Sequence, residues 1–107
     1  MENDKKTCFL KVFSRIICEK WTLLIIDALM PESKRFVDLE KILEGISTRT
    51  LAQRLQKLED YKVITKKISQ DNPGRVEYSL TKMGRDFTET IEAITSFGYK
   101  YFKDKMT

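Results

Sequence analysis

The spacing of apolar positions divides the chain into a run of periodic segments. Phe9, Val12, Phe13, Ile16 and Ile17 recur at i, i+3, i+4, i+7 and i+8, which predicts an amphipathic helix over about 7–18. Trp21, Leu24, Ile25, Ala28 and Leu29 repeat the pattern up to Met30-Pro31, where proline opposes continuation. The two stripes are expected to pack together as a scaffold, with Trp21 as a core anchor. After Lys34-Arg35-Phe36, a linker or brief edge strand, Phe36, Leu39, Ile42 and Leu43 predict a short helix ending at Gly45, a natural C-cap. Ser47 is then placed to cap a second helix, buried by Leu51, Leu55 and Leu58 at i, i+4 and i+7. The opposite side of that helix carries Thr48, Arg49, Gln53, Gln56 and Lys57, polar or cationic throughout.

The pattern changes period at Val63. Val63, Ile64, Thr65 and Ile68 are β-branched and predict an extended run to Gln70, and Asp71-Asn72-Pro73-Gly74 is a strong turn. From Arg75 to Leu80 the alternation is strict, with Val76, Tyr78 and Leu80 on one face and Arg75, Glu77 and Ser79 on the other. Lys66 falls in phase with Ile64 and Ile68, so its stem is expected to lie along apolar surface. Thr81 can cap a last helix bearing Phe87, Ile91, Ile94, Phe97, Tyr101 and Phe102, with a break expected near Gly98. A hairpin following helix, short turn and helix is the winged-helix layout. The aromatic terminal helix needs cover, from a symmetric partner, from the first helix of the same chain, or from both.

The predicted class is therefore mainly α with a small β-hairpin (α+β), a winged helix-turn-helix with extra N- and C-terminal dimerisation helices. The whole of 1–107 would form one domain, with the helix-turn-helix at about 36–60 and the wing at about 63–80. Terminal dimerisation helices are expected at about 7–18 and 82–104.

Charge sharpens this picture. The chain carries a formal +4, and residues 46–70 hold six cations against two anions, so the excess gathers around the capped helix and the strand after it. A leucine-backed helix presenting hydroxyls, amides and guanidinium has the chemistry of a major-groove reader, and Lys66, Lys67 and Arg75 on the wing can reach phosphates or a narrow minor groove. With no histidine, the common acid–base, zinc and triad sites lose their usual member, so no catalytic residue, metal or cofactor is expected. No window suits a membrane span, and the first six residues lack an apolar signal core, so a cytoplasmic location is expected.

The residues resemble the HxlR-type winged-helix transcriptional regulators of bacteria and archaea. The resemblance rests on Lys20-Trp21-Thr22-Leu23-Leu24-Ile25-Ile26, Lys34-Arg35-Phe36 with Leu39, and Gly45-Ile46-Ser47 through Leu51. It continues in Gln53-Arg54-Leu55 with Leu58-Glu59, and in Arg75-Val76-Glu77-Tyr78-Ser79-Leu80-Thr81 with Gly84-Arg85. Such proteins are similar to MarR-type regulators in being homodimers that bind pseudo-palindromic operators in double-stranded DNA. The chain departs from the usual pattern at Phe9, where proline often follows the cysteine. It departs again at Cys18-Glu19 in place of Gly-Gly, at Val37 in place of asparagine, and at Gly74 in place of a second proline. The resemblance implies operator contacts from Ser47, Thr48, Arg49, Thr50, Gln53 and Arg54, with Arg75 on the wing; Lys57, Lys66 and Lys67 join them on charge. Thr50 and Arg54 each precede a buried leucine and would meet phosphate at the edge.

Cys8 matches the position of a cysteine that some family members use to sense oxidants, quinones or aldehydes. The predicted helix places it near an N-terminus beside Lys5 and Lys6, both of which favour thiolate. Cys18 lies ten residues on, about 15 Å along a continuous helix, beyond the roughly 7 Å between Cα atoms that a disulfide spans. A disulfide would therefore join two subunits. A small-molecule or oxidant effector is the expected signal, with Cys8 the candidate sensor. Two rival readings are a winged-helix protein–protein interaction module without DNA binding and a small enzyme; the first lacks the loss of basic face it needs, the second a base near any nucleophile.

Overall fold

The structure, a computed structural model, describes residues 2–105. Helix α1 spans Glu2–Ile16, α2 Lys20–Leu29, α3 Phe36–Ile42, α4 Thr48–Asp60, α5 Lys82–Asp86 and α6 Thr88–Phe102, followed by a 3-10 turn at Lys103–Lys105. Strands β1 (Lys34–Arg35), β2 (Ile64–Ile68) and β3 (Val76–Leu80) form an antiparallel sheet in the order β1-β3-β2. This is the winged helix-turn-helix that the spacing predicts, with the linker before α3 serving as the edge strand.

Helix ends are set by local chemistry. The Glu19 side chain accepts from the Thr22 amide to cap α2, Ser47 Oγ from the Thr50 amide at 3.0 Å to cap α4, and Thr81 Oγ1 from the Gly84 amide at 3.2 Å to cap α5. Gly45, at φ +93°, takes the left-handed turn between α3 and α4. At the far end of α4, the Val63 amide donates to the Leu58 carbonyl at 2.9 Å and Lys62 N–H to that of Glu59 at 3.0 Å. That is a Schellman closure, with Lys62 at φ +63° where glycine is usual. It delivers the chain from α4 straight into β2.

The core sits around α2. Ile25 and Ile26 are fully buried, in one cluster with Leu39 of α3, Leu51, Leu55 and Leu58 of α4, Val63 just before β2, Ile64 at its start, and Leu80 of β3. Each such aliphatic side chain contributes about 1.5–3 kcal/mol on burial. Gly84 marks the tightest approach: a Cβ there would lie 2.3 Å from the Val63 carbonyl oxygen. That oxygen already accepts from the Thr81 amide and hydroxyl, both at 3.0 Å.

Four expectations are corrected. Helix α1 begins at Glu2, and most of its stripe does not pack on α2: Phe9 is 73% exposed, and Leu10, Val12 and Phe13 are exposed too. Its end meets the core through Ile16 and a Phe13–Phe87 ring contact at 5.8 Å, and Ile17 just beyond it is buried. Trp21 is half-buried at the core margin with the Lys20 ammonium over its ring, because α2 turns Ile25 and Ile26 inward instead. The break in the terminal helix falls at Phe87, whose buried ring pins the junction of α5 and α6, while Gly98 lies inside α6. Lys66 is exposed, as is Ile68, because the core beneath the hairpin ends at Ile64 and Leu80.

Candidate nucleic-acid interface

Helix α4 presents an inward face, an outward stripe and two flanks. Leu51, Leu55 and Leu58 point inward and are buried. Arg49, Gln53 and Gln56 follow one another along the outward stripe and are exposed. Among the described residues Arg49 has no ion pair, so its guanidinium is free to meet a partner. The stripe ends where the Gln56 amide donates to Asp60 at 2.9 Å, placing an acid at its C-terminal end. On one flank Thr48 donates its hydroxyl to Glu40 of α3 at 2.7 Å. On the other, Thr50 Oγ1 accepts from Ser47 Oγ at 2.9 Å and is half-buried.

Arg54 and Lys57 share that second flank, and each has a partner within the chain. Arg54 Nε donates to Glu19 Oε2 at 2.9 Å, with about two-thirds of each side chain covered. Lys57 Nζ donates at 2.8 Å to the carbonyl of Arg15, in the last turn of α1 where backbone acceptors lack helical partners. Burial works to raise the Glu19 carboxyl, but the hydrogen bond from Arg54, the Thr22 and Trp21 amides and the guanidinium charge outweigh it. The group is held below its ordinary 4.5.

The wing brings three cations near one acid. Lys66 pairs in register with Tyr78 and Lys67 with Glu77, while Arg75 Nε donates to Glu77 Oε1 at 3.2 Å. The tip is closed by Arg75 N–H to the Asn72 carbonyl at 2.8 Å, and Lys66, Lys67 and Arg75 are all exposed. The capped helix and the hairpin are thus joined by a turn of three residues, and Arg49 of the helix and Lys66, Lys67 and Arg75 of the hairpin are exposed.

Both cysteines are free and exposed. Cys8 is the seventh residue of α1, beyond the first turn and not near the N-terminus as expected, so helix-end amides do not face it. Between α2 and α6 lies a half-open, mainly apolar groove of about 290 Å³ lined by Leu23, Leu24, Asp27, Ile91, Ile94 and Thr95. The Glu19–Arg54 and Lys57–Arg15 ties were not legible in the sequence. Positions 54 and 57 show at helical spacing that they share a flank, but nothing local names a partner 35 or 42 residues away.

The model of the HxlR-like helix-turn-helix family matches residues 16–106. The chain is 33% identical over 104 residues to the HTH-type transcriptional regulator YdeP of Bacillus subtilis, covering 97% of this chain and 80% of that one. A MarR-family transcriptional regulator from Porphyromonas gingivalis superposes with a TM-score of 0.79 at 35% identity, over 89% of this chain and 93% of that one. The redox regulator HypR in its reduced form superposes at 0.78 with 25% identity, over 85% and 90%. No helix among the described residues is long and apolar enough to cross a membrane. The chain belongs to the HxlR-like helix-turn-helix family, whose members are DNA-binding transcriptional regulators and not enzymes.

Proposed function

We propose that this regulator works in the cytoplasm as a homodimer on a pseudo-palindromic operator. The observation that carries the reading is the outward stripe of α4, where Arg49 and Gln53 stand exposed on a leucine-backed helix with no acid paired to the arginine. Laid in the major groove, Arg49 can fork onto a guanine edge and Gln53 onto an adenine. Ser47, Thr48 and Thr50, at the helix start, meet the flanking phosphates, and Lys66, Lys67 and Arg75 carry the wing to the neighbouring backbone. The exposed apolar faces of α1 and α6 supply the surface for a second copy, and two α4 helices related by a two-fold axis read half-sites about one helical turn apart.

The signal in this reading is chemical. HypR is a redox regulator by name, and Cys8 is exposed on α1, the helix whose apolar face a second copy would meet. An oxidant or electrophile adding to Cys8 would therefore alter the subunit contact and, through it, the half-site spacing. A small effector is accommodated by the groove between α2 and α6.

Selection of bound duplexes from a random pool by the purified chain tests the reading. An enriched inverted repeat, bound by two copies per duplex in sedimentation, is the expected result. A pool that stays random, or enriched single sites bound by one copy, would sink it.

A further inference from the structure

The two cations on the inner flank of α4 point away from a plain phosphate-binding role. Glu19 Oε2 accepts three hydrogen bonds at once: from the Thr22 amide at 3.2 Å, from the Thr22 hydroxyl at 3.2 Å and from Arg54 Nε at 2.9 Å. Thr22 is 1% exposed, so its hydroxyl depends on that oxygen. One carboxylate thus caps α2, satisfies a buried hydroxyl and holds the recognition helix. One turn along α4, Lys57 ties the same flank to the carbonyl of Arg15 at the end of α1. These two ties grip the corner between α1 and α2 from both sides, just where the exposed face of α1 joins the core.

We infer that Arg54 is a positioning residue for DNA binding: with Glu19 and Lys57 it locks α4 to the α1–α2 corner and sets the angle at which Arg49 and Gln53 meet the groove. The inference rests on the operator reading above. It adds a mechanical link to that reading, since a change in the angle of α1 pulls on Arg15 and Glu19 and so on α4. The covalent chain offers no such short path, because three further elements separate the corner from α4 in sequence. The Thr48–Glu40 bond holds the opposite flank of α4 to α3, so the two ties to the α1–α2 corner complete the polar anchoring of the helix.

A salt-dependent binding experiment separates this role from a phosphate contact. The probe is the duplex enriched from the random pool, and the variants are Glu19→Gln, Arg54→Gln and the two combined. A residue acting through Glu19 predicts that each single change weakens binding roughly three- to tenfold and that the double change is no worse than the weaker single. The slope of log affinity against log salt should stay as in the unaltered chain. If Arg54→Gln instead lowers that slope by about 0.9 while Glu19→Gln binds normally, Arg54 is a phosphate ligand and the inference is overturned. Affinity unchanged in both singles overturns it equally. Hydrogen exchange without DNA keeps the test independent of the operator. Amides of α4 should exchange faster in both single variants, with those of α6 unaffected. Unchanged α4 exchange removes the lock, whereas failure to enrich any duplex removes the operator reading alone.

Discussion

Arg49 and Lys67 are both exposed cations, yet they should behave differently on DNA. Arg49 sits on the outward stripe of α4, where a bidentate contact to a base is worth about 1–3 kcal/mol of discrimination. Lys67 lies on the wing opposite Glu77, where the expected partner is a phosphate, which carries no sequence. We expect Arg49→Ala to relax sequence preference, and Lys67→Ala to weaken every duplex alike and reduce the salt slope by about 0.9. Titrations of selected and scrambled duplexes at several salt concentrations check this; unchanged affinity in both variants would refute the placement. Gly84 gives a prediction on stability. Alanine would gain about 1 kcal/mol of helix propensity, but its Cβ would meet a backbone carbonyl at 2.3 Å, and such overpacking costs about 1–3 kcal/mol. The clash should win, so Gly84→Ala is expected to melt several degrees below the unaltered chain. Equal or higher melting would show that α5 can move away from Val63.

At the scale of elements, α2 is held at its start by a charge. Because the Glu19 carboxyl is lowered from 4.5 in the folded chain, its stabilisation is complete above that value and is lost as pH falls through the lower, folded value. The partly exposed pair with Arg54 contributes about 0.5–1 kcal/mol. Denaturant unfolding of Glu19→Gln against the unaltered chain should therefore show a gap near neutral pH that closes as the pH falls below 4.5. A gap independent of pH would assign the loss to packing. Most element boundaries were legible from side chains that act locally. Ser47 and Thr81 cap as their positions suggest, and Gly45 takes the positive φ that a turn before Ser47 requires. The break at Phe87 was not legible, since Gly98 is the better local breaker; a buried ring and a glycine pressed on Val63 redirect the chain earlier.

The whole molecule is larger than a self-contained chain of its length. Its radius of gyration is 15.6 Å, against about 13 Å for a compact domain of this size. Its accessible surface is 8265 Å², roughly 2,000 Å² above that of a compact monomer of equal mass. Aromatic side chains concentrate the excess: Phe9 on α1, and Phe97, Tyr101 and Phe102 on α6, are all about half exposed or more. Stable homodimers bury surface on this scale. We expect sedimentation to find a dimer, and Phe9→Glu or Phe97→Glu to shift it towards monomer while weakening operator binding more than tenfold, since a lone copy holds a half-site only. A monomeric unaltered chain that binds its operator fully would end the dimer proposal. The chemical signal is tested at the same scale. Oxidant or electrophile treatment should release the unaltered chain from its operator and leave Cys8→Ser bound; an equal response in both would exclude Cys8 as the sensor.

The sequence alone determined the helix-turn-helix, the wing and the leucine-backed α4, because caps, turns and apolar period act over a few residues. It also brought Arg49 and Gln53 to the outward stripe, since helical spacing decides that face without reference to the rest of the fold. Tertiary structure decided what the flanks of α4 do. Arg54 and Lys57 read in sequence as two more cations for DNA, yet Glu19 and the Arg15 carbonyl reach them across the fold. It decided too that the stripe on α1 is left open, because Ile25 and Ile26 of α2 are already covered by α4 and the sheet. Periodicity says that a face must be buried. Only the packing of the other elements says whether this chain has anything left to bury it against.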